Sequence, residues 1–185
     1  MNRSKRTALF SLTLAAGVLL LTGCASQIDK RFTVDAPPEH AWSVLAEDFA
    51  DVSVWASEIG HSVGTQQNGT PATRSCETSI GTFKETVVEY DEDSRVLAYR
   101  AESDDMPGFV RELTNRWTLT ANEEGGTEVQ MQLNADLSGL GNLMWPMMYT
   151  QLNGPVTRTI EDFKYYVEHG TPHPRKLAAT EGATP

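Results

Sequence analysis

Beyond residue 29, the apolar positions along the chain change their period twice. A short alternating run at 30–34 predicts a first strand, and apolar residues with helical spacing then predict a helix that ends near Asp48 and a second short one at 52–56. From residue 58 the period falls to two, which predicts strands separated by turn residues. The six runs are 58–65, 72–79, 82–90, 95–103, 109–120 and 127–137.

The last periodic segment returns to helical spacing. Between Met144 and Val167 apolar residues recur every three or four positions, which predicts one long amphipathic stripe. The sequence Asn153-Gly154-Pro155 interrupts it, so we expect a kink or two abutting helices, because proline lacks an amide hydrogen. The segment 171–185 is rich in Pro, Ala and Thr and is predicted to be a disordered tail.

This order of elements predicts an α+β fold. Consecutive strands joined by tight turns form an antiparallel sheet, here of about seven strands. A sheet with one apolar face needs a cover, and the long C-terminal helix is the available one. We expect the two short helices after the first strand to complete a single domain at 29–170.

The first 24 residues have three zones: a basic head at 1–6, an apolar run from Ala8 to Leu21, and Leu21-Thr22-Gly23-Cys24. The run is shorter than the roughly 20 residues that span a bilayer. This pattern resembles the signal peptide and lipobox of bacterial lipoproteins, which implies cleavage after Gly23 and acyl chains on Cys24. An uncleaved anchor helix is the alternative.

Lipidation would tie the chain to the bacterial cell envelope. The residues 24–28 would form a short lipidated tether, and the acyl chains would be the contact with the membrane. Ala25 follows Cys24, which by resemblance to lipoprotein sorting rules implies the outer membrane, facing the periplasm.

Composition excludes several classes of protein. A net charge of -10 excludes a polyphosphate partner, so no nucleic acid is expected. Two cysteines exclude a disulfide-rich scaffold, and 39% apolar residues exclude wholesale disorder. The sequence does not indicate a protein partner.

A set of short segments, in a fixed order along the chain, carries a family resemblance. The segments are Val34–Trp42, Asp48-Phe49 with Trp55, Gly81–Glu85, Glu89–Asp91, Arg95–Tyr99, Trp117 and Asp162–Lys164. Together they resemble the START-like SRPBCC superfamily, specifically its polyketide cyclase/dehydrase-like branch. The resemblance covers about residues 29–170 and implies a helix-grip fold, in which a curved antiparallel sheet wraps around the C-terminal helix. It also implies an apolar cavity that binds lipids, sterols, polyketides or hormones.

Four polar residues fall at positions predicted to face the sheet interior: Arg74, Glu85, Tyr99 and Asn115. A buried polar group without a partner costs about 1–3 kcal/mol, so these residues are candidates to orient a ligand's polar head. Two alternatives remain open. Arg74 and Glu85 could form a purely internal pair, or a register shift of one residue could turn a strand outward.

The apolar ligand-binding candidates are Trp117, Met131, Met144, Met148 and Phe163. Methionine suits adaptable binding walls, although each of these side chains could equally fill a core. Cys76, on a strand, is expected to be a buried small hydrophobe. The loops Met106–Gly108 and Asn68–Pro71 are predicted to border the cavity mouth.

The favoured hypothesis is a membrane-anchored domain that binds a hydrophobic or lipid-like small molecule. One alternative is a cyclase/dehydratase-type enzyme in which Glu85, Arg74 or Tyr99 moves protons, and another is an assembly factor or chaperone that uses the same groove. We predict no cofactor and no metal. Gly170 and two prolines prevent a helical ligand pair at His169 and His173, and the GxSxG match at 60–64 lacks a strand-turn-helix context.

Overall fold

The structure is a computed structural model that describes residues 26–182, so the predicted signal peptide and Cys24 lie outside the described residues. Strands and helices follow the predicted order. The elements are β1 (Gln27–Val34), α1 (Pro38–Trp42), α2 (Val52–Trp55), β2 (Ile59–Gln67), β3 (Thr70–Thr78), β4 (Gly81–Asp91), β5 (Val96–Glu102), β6 (Val110–Ala121), β7 (Thr127–Leu137), α3 (Gly141–His169) and α4 (Pro174–Gly182). No helix in this part of the chain has the length and apolarity to cross a bilayer.

The seven strands form one antiparallel sheet in the order β1-β7-β6-β5-β4-β3-β2. The strands β2 to β7 are a simple meander, and β1 closes the far side by pairing with β7. The sheet curves around α3, which confirms the predicted α+β, helix-grip fold.

Irregular pairing in β2, β4 and β6 favours this curvature. Two of the four register shifts in the described sheet lie in β2 between Ile59 and His61 and in β4 between Val87 and Glu89. Such bulges bend a strand and increase its twist. Gly64 of β2 lies so close to the preceding segment that a Cβ there would be 2.7 Å from the Cβ of Ala50. A larger residue would push β2 away.

The segment between β1 and β2 is helical, as predicted, but it is not one α-helix. After α1 the chain makes a π-helical turn at Ser43–Glu47, in which the Asp48 amide donates to the Ser43 carbonyl at 2.9 Å, and then a 3-10 turn at Phe49–Asp51. The wider turn buries three consecutive residues, Val44, Leu45 and Ala46. It thereby brings Leu45 to the interior beneath α3.

An aromatic cluster fixes α3 to the sheet. Phe163 of α3 is completely buried, and its ring centroid lies 5.6 Å from those of Trp55 and Trp117. Phe32 of β1 completes the cluster at 6.4 Å. Edge-to-face contacts of this kind add about 0.5–1.5 kcal/mol each beyond area burial.

Two features of the C-terminal region differ from the prediction. The helix α3 runs unbroken over 29 residues with Pro146 and Pro155 inside it, rather than as two abutting helices. The tail at 171–185, predicted to be disordered, instead contains α4. Arg175 Nε donates to Asp162 Oδ1 at 2.7 Å, and Lys176 Nζ donates to the Ile59 carbonyl at 2.7 Å. Composition alone could not predict α4, because its partners lie in α3 and β2.

The first strand also begins earlier than predicted. Ile28, assigned from sequence to the tether, is buried and pairs with Leu133 of β7. The described part of the tether therefore contributes to the sheet.

Candidate functional site

A cavity of about 150 Å³ lies between α3, the α1–α2 segment and the sheet. We call it the inner cavity. One side of the curved sheet and apolar residues of the helices form its wall. The cavity exists because a helix that lies across a concave sheet leaves space between the two layers. The lining residues are Leu45, Val52, Trp55, Ile59, Arg74, Glu85, Tyr99, Asn115, Trp117, Met131, Pro155, Val156 and Thr159.

Arg74 and Glu85 form the polar end of the inner cavity. They are directly opposite each other in the pairing of β3 with β4, and Arg74 Nε donates to Glu85 Oε2. Arg74 Nη1 also donates to the Phe49 carbonyl at 2.8 Å. Both residues are buried, so the two charges compensate each other away from water.

Two aromatic rings hold the guanidinium in place. Its central carbon lies 3.9 Å from the centroid of the Phe49 ring and 5.0 Å from that of Tyr99, which gives cation–π contacts on top of the ion pair. Burial alone lowers the pKa of Arg74, but the Glu85 carboxylate more than offsets this and raises the pKa above its ordinary value. Arg74 is therefore a permanent, immobilised cation.

The neighbouring titratable groups remain protonated at neutral pH. Burial raises the pKa of the Cys76 thiol to about 12, and the Glu85 carboxylate, at 3.7 Å from Sγ, adds to the shift. Burial, and then Glu85, also raise the pKa of Tyr99, while Arg74 and the Trp117 indole act in the opposite direction. The wall thus presents a neutral phenol and a compensated ion pair, and the neutral thiol of Cys76 lies next to Glu85 outside the lining.

Asn115 and Trp117 are residues of the cavity wall with a polar atom that lacks a hydrogen-bond partner in the described part of the chain. The Oδ1 of Asn115 is buried and makes no hydrogen bond within residues 26–182. The indole nitrogen of Trp117 is close to the Tyr99 hydroxyl but forms no hydrogen bond of normal geometry. Rotation of the Asn115 amide presents either its oxygen or its nitrogen to the cavity.

A second cavity of about 290 Å³ adjoins the first, and we call it the outer cavity. Leu152 of α3 lies one helical turn before Val156 of the inner cavity, and Phe83 of β4 lies two residues before Glu85. The two cavities therefore follow one another along α3, with the outer one toward its N-terminal end. Its walls are mainly apolar, and Asp105 and Gln151 are their polar members. The lining residues are Ile80, Phe83, Asp105, Met106, Pro107, Val110, Leu113, Met148, Gln151 and Leu152.

The structure brings most of the predicted site residues together, and six of the nine line the inner cavity. Met148 lines the outer cavity, Met144 is half-buried and lines neither, and Phe163 packs in the aromatic cluster. The loop Met106–Gly108 borders the outer cavity through its first two residues, whereas Asn68–Pro71 borders neither and is simply the β2–β3 turn. The six residues are Arg74, Glu85, Tyr99, Asn115, Trp117 and Met131.

Sequence reasoning missed the helical side of the wall. Leu45, Val52 and Trp55 belong to the segment between β1 and β2, and Val156 and Thr159 to α3. The apolar spacing of these segments was a visible signal that they face inward. That spacing does not show which of the inward-facing residues border a cavity and which pack tightly in the core.

The family model described as polyketide cyclase / dehydrase and lipid transport matches residues 26–168. The chain belongs to this family. None of the curated proteins matches the chain. The polyketide cyclase / dehydrase and lipid transport family and the START-like fold fit a domain that binds a hydrophobic ligand.

Solved structures show the same fold at low sequence identity. A START superfamily protein from Mycobacterium smegmatis superposes with a TM-score of 0.63 at 18% identity, covering 78% of this chain and 99% of that chain. A protein from Nitrosospira multiformis gives 0.61 at 17%, covering 78% and 97%. The crystal structure of Ara h 8.0201 gives 0.58 at 14%, covering 76% and 96%. This family member therefore has the START-like architecture.

Proposed function

We propose that this protein is a membrane-anchored domain of the bacterial envelope that binds an apolar small molecule carrying one neutral polar group. The observation that carries the proposal is the buried Oδ1 of Asn115, which lies in the wall of the inner cavity without a hydrogen-bond partner among residues 26–182. The indole nitrogen of Trp117, in the same wall, also lacks one within that range. An unmet buried polar group costs about 1–3 kcal/mol, which a ligand hydroxyl or carbonyl can recover.

The ion pair argues for a neutral ligand head. Arg74 already has Glu85, the Phe49 carbonyl and two aromatic faces as partners. A ligand carboxylate in the inner cavity would lie beside Glu85 and would have to displace it from the guanidinium. A hydroxyl or carbonyl carries no such repulsion, and Asn115 can donate to or accept from it.

The protonation states favour binding over proton transfer. Efficient general acid–base catalysis uses a group whose pKa lies near the working pH. Tyr99, Cys76 and Arg74 all have pKa values raised away from neutrality. The description of the family includes lipid transport, which agrees with uptake of a ligand without chemistry.

The membrane anchor is the second part of the proposal. It rests on the basic head, the apolar run and Leu21-Thr22-Gly23-Cys24. We infer that the acylated thiol of Cys24 holds the domain at the periplasmic face of the outer membrane. Replacing Cys24 by Ala should abolish incorporation of radiolabelled palmitate and release the protein from sedimented membranes; unchanged labelling would contradict the anchor.

Displacement of the neutral dye Nile red tests the ligand class. We expect 1-decanol to displace the dye from the detergent-solubilised full chain at a lower concentration than decanoate or decane does. Asn115→Leu, which keeps the shape of the side chain, should weaken decanol roughly tenfold and leave decane unchanged, as expected for one lost hydrogen bond.

Asn134→Leu is the matched control, because Asn134 is exposed on β7 and lines neither cavity. It should behave as the wild type. Equal displacement by decanol and decanoate, or equal decanol binding by the wild type and Asn115→Leu, would refute the neutral-head proposal. Lipid extracts of the purified protein, analysed by mass spectrometry, would then identify the bound molecule directly.

A further inference from the structure

The N-terminal end of α3 exposes an unusual number of large apolar side chains. Leu140, Leu143 and Met147 are 83%, 79% and 47% exposed, and spacings of three and four residues place them on one side of the helix. Ile80, in the turn between β3 and β4, is 68% exposed. We call these four residues the apolar rim.

The apolar rim adjoins the outer cavity. Ile80 itself lines that cavity, and Met148, next to Met147 in α3, forms another part of its wall. The cavity therefore opens beside these exposed apolar side chains. Exposed apolar groups of this size mark an interaction surface more often than an ordinary solvated one.

The described chain also begins at this end of the molecule. The Ser26 carbonyl accepts a hydrogen bond from the Ala135 amide at 2.8 Å, and the Ser26 hydroxyl lies 3.5 Å from Asn142 Oδ1 in the first turn of α3. Cys24 precedes Ser26 by two residues, and two residues span at most about 7 Å. An anchor on Cys24 would hold this end of α3 against the membrane.

We propose that the apolar rim inserts into the surface of a zwitterionic phospholipid bilayer, so that the outer cavity opens toward the acyl chains. Three independent features coincide at one end of the molecule: the rim, the mouth of the outer cavity and the start of the described chain. The use of this contact for ligand exchange rests on the proposed function, whereas the contact itself does not.

Charge selects the kind of bilayer. The chain carries a net charge of -10, and Asp105 lies in the wall of the outer cavity. Exposed Glu102 and Asp104 lie near Asp105 in an adjacent depression. Carboxylates at the mouth oppose approach to anionic headgroups. The contact is therefore driven by apolar burial, and it needs no anionic lipid.

An introduced tryptophan tests the contact in the full chain reconstituted into phosphatidylcholine vesicles. Three of the four native tryptophans, Trp42, Trp55 and Trp117, are buried and give a constant background. The fourth, Trp145, is half-buried in α3 between Leu143 and Met147, so both variants also carry Trp145→Phe. Leu143→Trp should add emission that is blue-shifted and is quenched when the acyl chains carry bromine. Val63→Trp, at an exposed position of the edge strand β2, should add emission typical of water and remain unquenched.

Each other occupant of the apolar rim gives a different result. A blue shift at Leu143→Trp without bromine quenching means that a second copy or the chain's own N-terminal segment covers the rim, and this overturns the proposal. Emission typical of water overturns it as well. Quenching that requires phosphatidylglycerol would overturn the assignment of a zwitterionic partner.

The double variant Leu140→Ser/Leu143→Ser separates this inference from the proposed function. It should slow the movement of Nile red from the protein to vesicles by about tenfold and leave the dye's affinity in detergent solution unchanged. Loss of affinity in the double variant would mean that the rim belongs to the binding site and would overturn a separate docking role. Failure of decanol binding with intact bromine quenching would refute the ligand proposal alone.

Discussion

Arg74 and Glu85 face each other across β3 and β4 and form an ion pair in the wall of the inner cavity. Their side chains are only 5% and 11% exposed. In such a pair the desolvation cost roughly cancels the attraction, but removal of one partner leaves an uncompensated charge in the interior. The pair is therefore a weak net stabiliser and a strong constraint on what else the cavity can hold.

Replacing one member of this pair should destabilise the fold much more than replacing both. We expect Arg74→Met to lower the free energy of unfolding by about 3–5 kcal/mol, and Arg74→Met/Glu85→Met to recover most of that loss. Urea unfolding measures both. Arg158→Met, at the partly exposed pair with Glu58, should cost less than about 1 kcal/mol. A double variant as unstable as the sum of the single ones would contradict the coupling.

Stability should fall at alkaline pH through Cys76. The pKa of this thiol is raised to about 12 in the folded state by burial and by Glu85, with Arg74 acting in the opposite direction. Because the unfolded thiol ionises near pH 9, the stabilisation is complete below that pH and is lost as the pH rises toward 12.

Thermal melts between pH 8 and pH 11 test this dependence. Cys76→Ala should flatten the alkaline part of the profile and leave the part contributed by Tyr99, whose pKa is also raised by burial. The folded wild type should resist alkylation of Cys76 by iodoacetamide at neutral pH, since the thiolate is the reactive form. Rapid alkylation without unfolding would show that the thiol is accessible.

Filling the inner cavity should block the ligand without harming the fold. Val156 lines this cavity, so Val156→Phe places a ring in empty space rather than in a packed core. We expect Nile red binding to be lost and the melting temperature to stay the same or rise. Val88→Phe, at an exposed position on β4, should change neither quantity. A large drop in melting temperature for Val156→Phe would indicate solid packing at this site.

The helix α4 should stabilise the domain through Arg175. Asp162 of α3 is completely buried and accepts hydrogen bonds from the Ser57 amide, the Ser57 hydroxyl and Arg175 Nε. Arg175→Ala removes one of these three and should lower the free energy of unfolding by about 1–3 kcal/mol. Arg175→Lys should recover part of the lost free energy of unfolding. Limited proteolysis should release 174–185 faster from Arg175→Ala than from the wild type; equal rates would show that α4 is held in another way.

The sequence predicts local periodicity well here and tertiary partners less well. Alternation correctly placed Tyr99, Asn115 and Trp117 on the concave face, because side chains on a strand alternate strictly and one face of this sheet is buried. The same rule predicted Arg74 and Glu85 to face inward together. Their pairing followed from opposite charges on two consecutive strands.

Features that depend on distant contacts were not predictable in this way. The richness of 171–185 in Pro, Ala and Thr indicated disorder, whereas Arg175 is ordered by Asp162 of α3. The π-helical turn after Trp42 leaves no simple signature, because three consecutive buried residues contradict a regular helical stripe. Met144, Met148 and Phe163 belong to the same apolar stripe of α3, yet of these three only Met148 borders a cavity.

Pro155 lies where the inner and outer cavities meet along α3. Having no amide hydrogen, it leaves the carbonyl of Gln151 without its usual helical donor, so α3 bends more easily there, as it does at Pro146 nearer its N-terminal end. The residues that would bind the polar head group of the ligand lie on strands on one side of Pro155. The hydrocarbon chain of the ligand would extend on the other side, along the more flexible N-terminal half of α3. The protein should therefore select its ligand by the oxygen-containing group and bind ligands with hydrocarbon chains of different lengths.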